Sequence, residues 1–239
     1  MMIIMIRDYQ KEGVLHVTIF GANGPTGRLL TRRVLDAGYS AVAVTRSPGD
    51  FPLPAPALTV AGADVHDAAA VTDVAGGADA RGAVHRRAVD TYSVGTRNIV
   101  AAMCKTGTRR LAVVSSTATY PSPGRTGVSL TLRLVEPVIT KIIGETVYDD
   151  MQRMETLLRD SDLDWTIVRL SILFDLPEVT DYLAGEIDPV GAFTARIDLA
   201  DYLAALTDAP TVRRTVVVST MQHTPTLLQT IRREAFGNA

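Results

Sequence analysis

The stretch Val14-Leu15-His16-Val17-Thr18-Ile19-Phe20-Gly21-Ala22-Asn23-Gly24-Pro25-Thr26-Gly27 decides how this chain is read. Val14 to Phe20 is a β-branched, apolar run of strand length. Three glycines follow at the spacing G-x-x-G-x-x-G. From Pro25 to Ala37 the pattern turns helical, with Leu29, Leu30, Val34 and Leu35 on one side and Gly38 as the stop. Strand, glycine turn and helix in that order are the setting in which a glycine fingerprint holds a dinucleotide. Gly21 permits a tight turn, Gly24 lets backbone approach a pyrophosphate, and Gly27 lets the helix lie close to the strand. The helix end offers free amides and the positive end of its dipole. Asn23 and Pro25 lie in the loop, Thr26 adds a hydroxyl and Arg28 a cation. The competing reading is a glycine-rich turn without a ligand.

The same alternation continues outward. Ala41 to Thr45 reads as a second strand, Ser47 to Pro56 as a proline-rich loop, and Leu58 to Val60 as a third strand. Asp67 to Val74 reads as a helix ending at Gly76-Gly77. Later come a helix over Val89 to Thr106, a strand over Arg110 to Ser115 and an amphipathic helix over Glu145 to Ser161. A strand over Trp165 to Leu170, a helix over Asp198 to Thr207, a strand over Arg214 to Ser219 and a helix over Pro225 to Phe236 complete the series. Strands alternating with helices imply parallel strands joined by right-handed crossovers, hence an α/β doubly wound sheet. One interval breaks the pattern: Ala78 to Arg87, where a fourth strand is due, is polar apart from Ala83-Val84, whereas a central parallel strand is nearly all apolar. Ser116 to Gly144 is irregular, and such a stretch after a strand borders the ligand crevice.

The chain has 239 residues, enough for one domain with a large core, and we expect residues 14–239 to form it. Residues 1–13 open with Met1-Met2-Ile3-Ile4-Met5-Ile6 and then meet Arg7, Asp8, Lys11 and Glu12. We read them as a flexible extension rather than a secretory signal. Lys and Arg number 24 against 26 Asp and Glu, so charge gives no reason to expect nucleic-acid binding. No apolar run reaches the roughly 18 residues a membrane span needs. The single cysteine, Cys104, fits a reducing compartment, and the expected location is cytoplasmic. Either a monomer or a homodimer is compatible with the sequence.

The end of the second strand discriminates between cofactors. An acid there binds the ribose hydroxyls of NAD, and an arginine accommodates the 2′-phosphate of NADP. The residues are Thr45-Arg46-Ser47, which favours NADP(H) unless Arg46 is merely a solvated surface residue. Asp64-Val65 follows the third strand, where an adenine ring would lie. Asp64 either accepts from the adenine amino group or caps the next helix.

These residues together suggest a family. Gly21-Ala22-Asn23-Gly24-Pro25-Thr26-Gly27, Val44-Thr45-Arg46, Ala63-Asp64-Val65 and Tyr92-Ser93-Val94-Gly95-Thr96-Arg97-Asn98-Ile99 resemble atypical short-chain dehydrogenase/reductases. The resemblance, to NmrA-like proteins and the flavin reductase/biliverdin-IX-beta reductase type, extends through Val113-Val114-Ser115-Ser116. It continues in Leu157-Leu158-Arg159-Asp160-Ser161-Asp162-Leu163-Asp164-Trp165-Thr166-Ile167-Val168-Arg169 and Ile197-Asp198-Leu199-Ala200-Asp201-Tyr202. It implies a Rossmann fold with a small substrate-side lobe, binding NADP(H). It further implies reduction of flavins, quinones or related conjugated acceptors, or else a redox-sensing role without turnover. Two departures stand out: the polar Ala78 to Arg87 stretch, and Leu170-Ser171-Ile172 where the family usually has a proline after the strand.

Ordinary short-chain dehydrogenases pair a tyrosine with a lysine four residues on, which lowers the phenol pKa. None of Tyr9, Tyr39, Tyr92, Tyr120, Tyr148, Tyr182 and Tyr202 has that lysine. A flavin or quinone needs no such shuttle, because it stabilises negative charge itself. Ser115, Ser116 and Thr117 follow a strand at the edge where ligands bind. Ser116 or Thr117 either bonds a nicotinamide amide or substrate oxygen, or closes an ST-turn. Ser116 and Tyr120 are the catalytic candidates, with Tyr120 stacking on or donating to a planar acceptor, against the stronger reading of an ordinary loop tyrosine. Phe174, Tyr182 and Phe193 are candidates for lining its pocket, with core filling the stronger reading for Phe174. Met151 and Met154 read as core, and Asp149-Asp150 as complementing their own helix dipole. His85-Arg86-Arg87 reads as a solvated basic cluster. His16, His66, His85 and His223 lack metal-ligand spacing, so no metal site is expected.

Overall fold

The computed structural model describes residues 3–9, 14–76, 90–128, 145–209 and 212–225. The Gly77 turn, the Ala78 to Arg87 stretch with its basic cluster, the Ser116 to Gly144 stretch beyond residue 128, and the final helix over Pro225 to Phe236 beyond its first residue fall outside them. The strands are β1 (Ile3–Tyr9), β2 (Val14–Phe20), β3 (Ser40–Thr45), β4 (Leu58–Gly62), β5 (Arg110–Ser116) and β6 (Asp164–Leu170). Three short strands follow, β7 (Ile172–Phe174), β8 (Leu183–Gly185) and β9 (Phe193–Ala195), and then β10 (Arg214–Ser219). The helices are α1 (Pro25–Asp36), α2 (Ala68–Gly76), α3 (Thr91–Thr106), α4 (Glu145–Arg159) and α5 (Arg196–Ala205).

Eight strands form one sheet in the order β4-β3-β2-β1-β5-β6-β10-β8. The pairs β2–β3, β3–β4, β5–β6 and β6–β10 are parallel. Helices cover both faces, which explains why the strands read as unbroken apolar runs. Ile167 faces a core with Ile99 and Met103 of α3 and Met154 and Leu158 of α4. Its neighbour Val168 faces the other core, with Leu30 and Val34 of α1 and Leu199 and Leu203 of α5. A third cluster of Phe174, Ala192, Phe193, Ala195 and Ile197 surrounds the β7–β9 pair beyond the carboxyl edge of the sheet.

The amino-terminal residues depart from their expected role. Ile3–Tyr9 is not a flexible extension but an antiparallel strand between β2 and β5. Ile3 to Ile6 pair with Phe20 to Val17 on one side and with Val113 to Arg110 on the other. A doubly wound sheet puts its fourth strand in this slot. The slot lies between two apolar layers, and Ile3-Ile4-Met5-Ile6 is apolar at every position, as such a strand must be. Strand β1 ends at Tyr9 and β2 begins at Val14, a separation in sequence too short for a parallel crossover.

Boundaries shift by small amounts elsewhere. Helix α3 begins at Thr91 rather than Val89, and α5 spans Arg196–Ala205 rather than Asp198 to Thr207. Without the family's proline, β6 runs on through Leu170, which pairs with Ser116 and Val218. The free amide of Ser171 then donates to Thr194 Oγ1 at 3.1 Å.

Candidate functional site

Gly21 turns the chain at φ +80°, a conformation that disfavours any residue with a Cβ. Its carbonyl accepts from the Gly24 amide at 3.1 Å, closing the loop. A Cβ on Gly27 would lie 2.4 Å from Gly21 O and 2.7 Å from Ala22 Cα, so the helix touches the loop backbone directly. Helix α1 starts at Gly24 with no side-chain cap and no acid in its first turn. Its end therefore faces outward as an anion site. Arg28 donates to Asn23 Oδ1 from Nε at 3.0 Å and from Nη2 at 2.8 Å, bracing the loop from outside. This cradle fits a dinucleotide pyrophosphate.

Gly21, Gly24, Pro25, Thr26 and Gly27 form one wall of a pocket of about 480 Å³ at the carboxyl edge of the sheet. Ser115 and Ser116, at the end of β5, also line it. The far wall is Tyr92 from α3, Tyr148 and Met151 from α4, and Leu170 and Leu173. Arg196, at the start of α5, is the pocket's cation beside these and donates to Asp175 at 2.9 Å. Burial, with Asp150 and Tyr148 nearby, raises the Tyr92 pKa above its ordinary value.

Two buried carboxylates hold residues of the pocket lining. Asp150, 1% exposed, accepts from the amides of Tyr92 at 2.8 Å and Ser93 at 3.3 Å and from the Ser93 hydroxyl. It caps the N-terminus of α3, not its own helix as the sequence reading had it. Helix α3 has no side-chain cap of its own at Asp90, so the acid from α4 fills the gap. Glu155, with no exposed surface, bridges Ser115, Arg159 and Arg169.

The expected site residues divide into those at the pocket and those away from it. The glycine loop, Ser115 and Ser116 meet there. Arg46 and Ser47 are exposed just beyond β3, on the strand next to β2, with the Ser47 amide bound to Thr45 Oγ1 at 3.2 Å. Asp64 is 3% exposed and accepts from the His66 amide and ring, each at 3.0 Å. Asp67, not Asp64, caps α2, accepting from Ala69 and Ala70. Val65 is tied through its carbonyl to Asn98 at 2.8 Å. Ser116 both lines the pocket and closes an ST-turn, accepting from the Ala118 amide at 3.1 Å.

Tyr120 is not at the pocket. Its ring lies under the guanidinium groups of Arg169, 4.6 Å from the ring centre, and Arg159, at 5.6 Å. Two cations therefore already pack on this ring. Thr117 does not line the pocket itself, but its Oγ1 lies 3.2 Å from Ser171 Oγ, which does. Tyr182 donates to Asp201 at 2.9 Å and packs edge-on against Tyr202, with burial and that bond raising its pKa. Phe174 and Phe193 pack edge to face, 5.9 Å apart, in the third apolar cluster. Met154 is core as expected, whereas Met151 lines the pocket.

Sequence reasoning missed Tyr92, Tyr148, Arg196 and Glu155. Helical phase held a usable signal: Tyr148, Met151 and Glu155 lie three and seven positions apart, on one face. Among the described residues no acidic, histidine or cysteine cluster suits a metal, and no helix is long and apolar enough to cross a membrane.

Residues 21–210 match the model of a protein family described as NAD(P)H-binding. An uncharacterized protein of Mycobacterium tuberculosis is 29% identical over 164 residues, covering 67% of this chain and 15% of that protein. The chain thus spans only a small part of the curated relatives it matches. A short-chain dehydrogenase/reductase of Veillonella parvula, solved in complex with NADP, superposes with a TM-score of 0.66 at 20% identity over 84% of this chain and 92% of that one. ChuY, an anaerobillin reductase from Escherichia coli O157:H7, superposes with a TM-score of 0.65 at 20% identity, covering 87% of this chain and 98% of that one. These two likenesses are likenesses of fold.

Proposed function

The chain belongs to the NAD(P)H-binding family, and from that premise we propose that it is an NADPH-dependent reductase of a planar conjugated acceptor, a flavin or a quinone. One observation carries this reading. A single pocket joins an uncapped glycine-loop helix end to a wall of aromatic and aliphatic side chains. The first suits a pyrophosphate and the second a flat ring system.

In this reading the Gly21–Gly27 loop and the α1 amides hold the pyrophosphate. Arg46 and Ser47 take the 2′-phosphate, and Asp64 and Val65 flank the adenine. Ser115 and Ser116 border the nicotinamide end. Tyr148 and Tyr92, rather than Tyr120, face the acceptor. The bound reduced dinucleotide supplies a hydride. The chain's own residues orient the two rings and keep water from between them.

Position 152 also argues for an acceptor of this kind. It is Gln152, whose Nε2 donates to the Thr119 carbonyl at 2.6 Å, so no ammonium stands there to activate Tyr148. Alcohol oxidation by the tyrosine-lysine pair therefore lacks its lysine at position 152, whereas a quinone or flavin stabilises negative charge itself.

A steady-state assay with NADPH and either FMN or menadione tests the proposal. Turnover is expected with NADPH and is expected to fall in Arg46→Ala. Turnover unchanged in Arg46→Ala, with no gain for NADH, would overturn the cofactor assignment. Tight NADPH binding without reduction of any acceptor would place the chain with the redox-sensing relatives instead.

A further inference from the structure

Glu155 has no exposed surface, yet it lies one hydrogen bond from the pocket. Its Oε1 accepts from Ser115 Oγ at 2.7 Å and from Arg169 Nε at 3.1 Å. Its Oε2 accepts from Arg169 Nη2 at 2.6 Å and Arg159 Nη2 at 2.7 Å. Two guanidinium groups donate to this one carboxylate, and a carboxylate only accepts. The Ser115 hydroxyl has one proton, and that proton is committed to Glu155. Thr119 Oγ1 lies farther off, 3.3 Å from Ser115 Oγ, and directs its own proton to Met151 Sδ at 3.8 Å, so the Glu155 carboxylate at 2.7 Å holds the Ser115 proton. Ser115 therefore has no proton for a ligand and offers only a lone pair.

We propose that Glu155 is a positioning residue: it fixes Ser115 at the pocket floor as a hydrogen-bond acceptor, and Ser115 Oγ receives an N–H of the nicotinamide carboxamide. The inference rests on reading this pocket as the dinucleotide site. The amide end of the carboxamide is selected, since its oxygen would meet a lone pair. The ring is then held in one of its two flipped orientations, which decides the face that gives up hydride.

The test compares NADP⁺ with its 3-acetylpyridine analogue, which has a methyl group in place of the amide nitrogen. Affinity is read by calorimetric titration of the full chain. In the unaltered protein NADP⁺ is expected to bind on the order of fivefold tighter, the worth of one hydrogen bond. Ser115→Ala removes the acceptor, and the preference is expected to fall to about one. In Glu155→Gln the arginines hold the amide oxygen, the amide nitrogen turns to Ser115, and the serine proton is driven into the pocket. That variant is expected to lose or reverse the preference. General loosening of the fold would weaken both ligands alike and leave the ratio unmoved. A full preference in Ser115→Ala overturns the proposal whether or not Glu155→Gln folds. Failure of the unaltered protein to bind either dinucleotide would instead remove the reading beneath it.

Discussion

The two ends of the pocket are built by different means. The glycine-loop end is shaped mainly by backbone, within seven consecutive residues that include three glycines. The far end is all side chain, drawn from α3, α4, β6, β7 and α5, and it holds its shape through Asp150 and Glu155. The first is stabilised by local geometry and the second by long-range, charge-assisted hydrogen bonds. Substitutions should therefore fail differently at the two ends.

The largest effect is expected at Glu155. Glu155→Ala leaves Arg169, 17% exposed, and Arg159 without their shared carboxylate. Removing one partner of such a buried set costs about 3–5 kcal/mol, read from denaturant unfolding. Gly27→Ala comes next. Its Cβ would meet backbone at 2.4 Å, so helix and loop must separate, at a cost of about 3 kcal/mol. NADPH affinity should fall with stability, since the same contact shapes the cradle. Asp150→Ala sharpens the contrast. Losing the α3 cap should cost about 2 kcal/mol. The acceptor KM should rise severalfold while NADPH affinity changes little. If both move together, the two ends are not independent.

Arg46→Ala should lower NADPH affinity about tenfold and leave NADH affinity unchanged, the loss of one charge-assisted contact. The smallest effect concerns pH. The Tyr92 phenol binds its proton more tightly folded than unfolded, because burial raises its pKa above the ordinary value of about 10. Its contribution to stability is complete below about pH 10 and is lost as pH rises through the raised value. Tyr92→Phe should flatten that part of an alkaline unfolding curve.

The same contrast explains what could be read beforehand. The glycine loop was legible because its information is contiguous: one strand, one turn and one helix start fix Gly21, Gly24 and Gly27 together. The alternation of elements likewise carried the doubly wound sheet. Tyr120 was misplaced because proximity to Ser116 in sequence says nothing of Arg169 and Arg159, which reach its ring from β6 and α4. Tyr148 was set aside for want of a lysine at position 152, a test of one chemistry rather than of position. Asp150 reads as serving its own helix because its partners, Tyr92 and Ser93, lie 58 and 57 residues away. The role of Ile3 to Ile6 was hidden because apolar character marks a strand without naming its neighbours.

That amino-terminal strand ties the order of synthesis to the order of assembly. Ile3 to Ile6 are made before the other strands of the sheet, and β2 follows closely enough to pair with them. Their second partner, Arg110 to Val113, is made about a hundred residues later. Until then the pair presents an open, apolar edge, the kind that invites pairing with another chain. Among the described strands this one alone pairs with both β2 and β5, so the sheet becomes continuous only once β5 has been made.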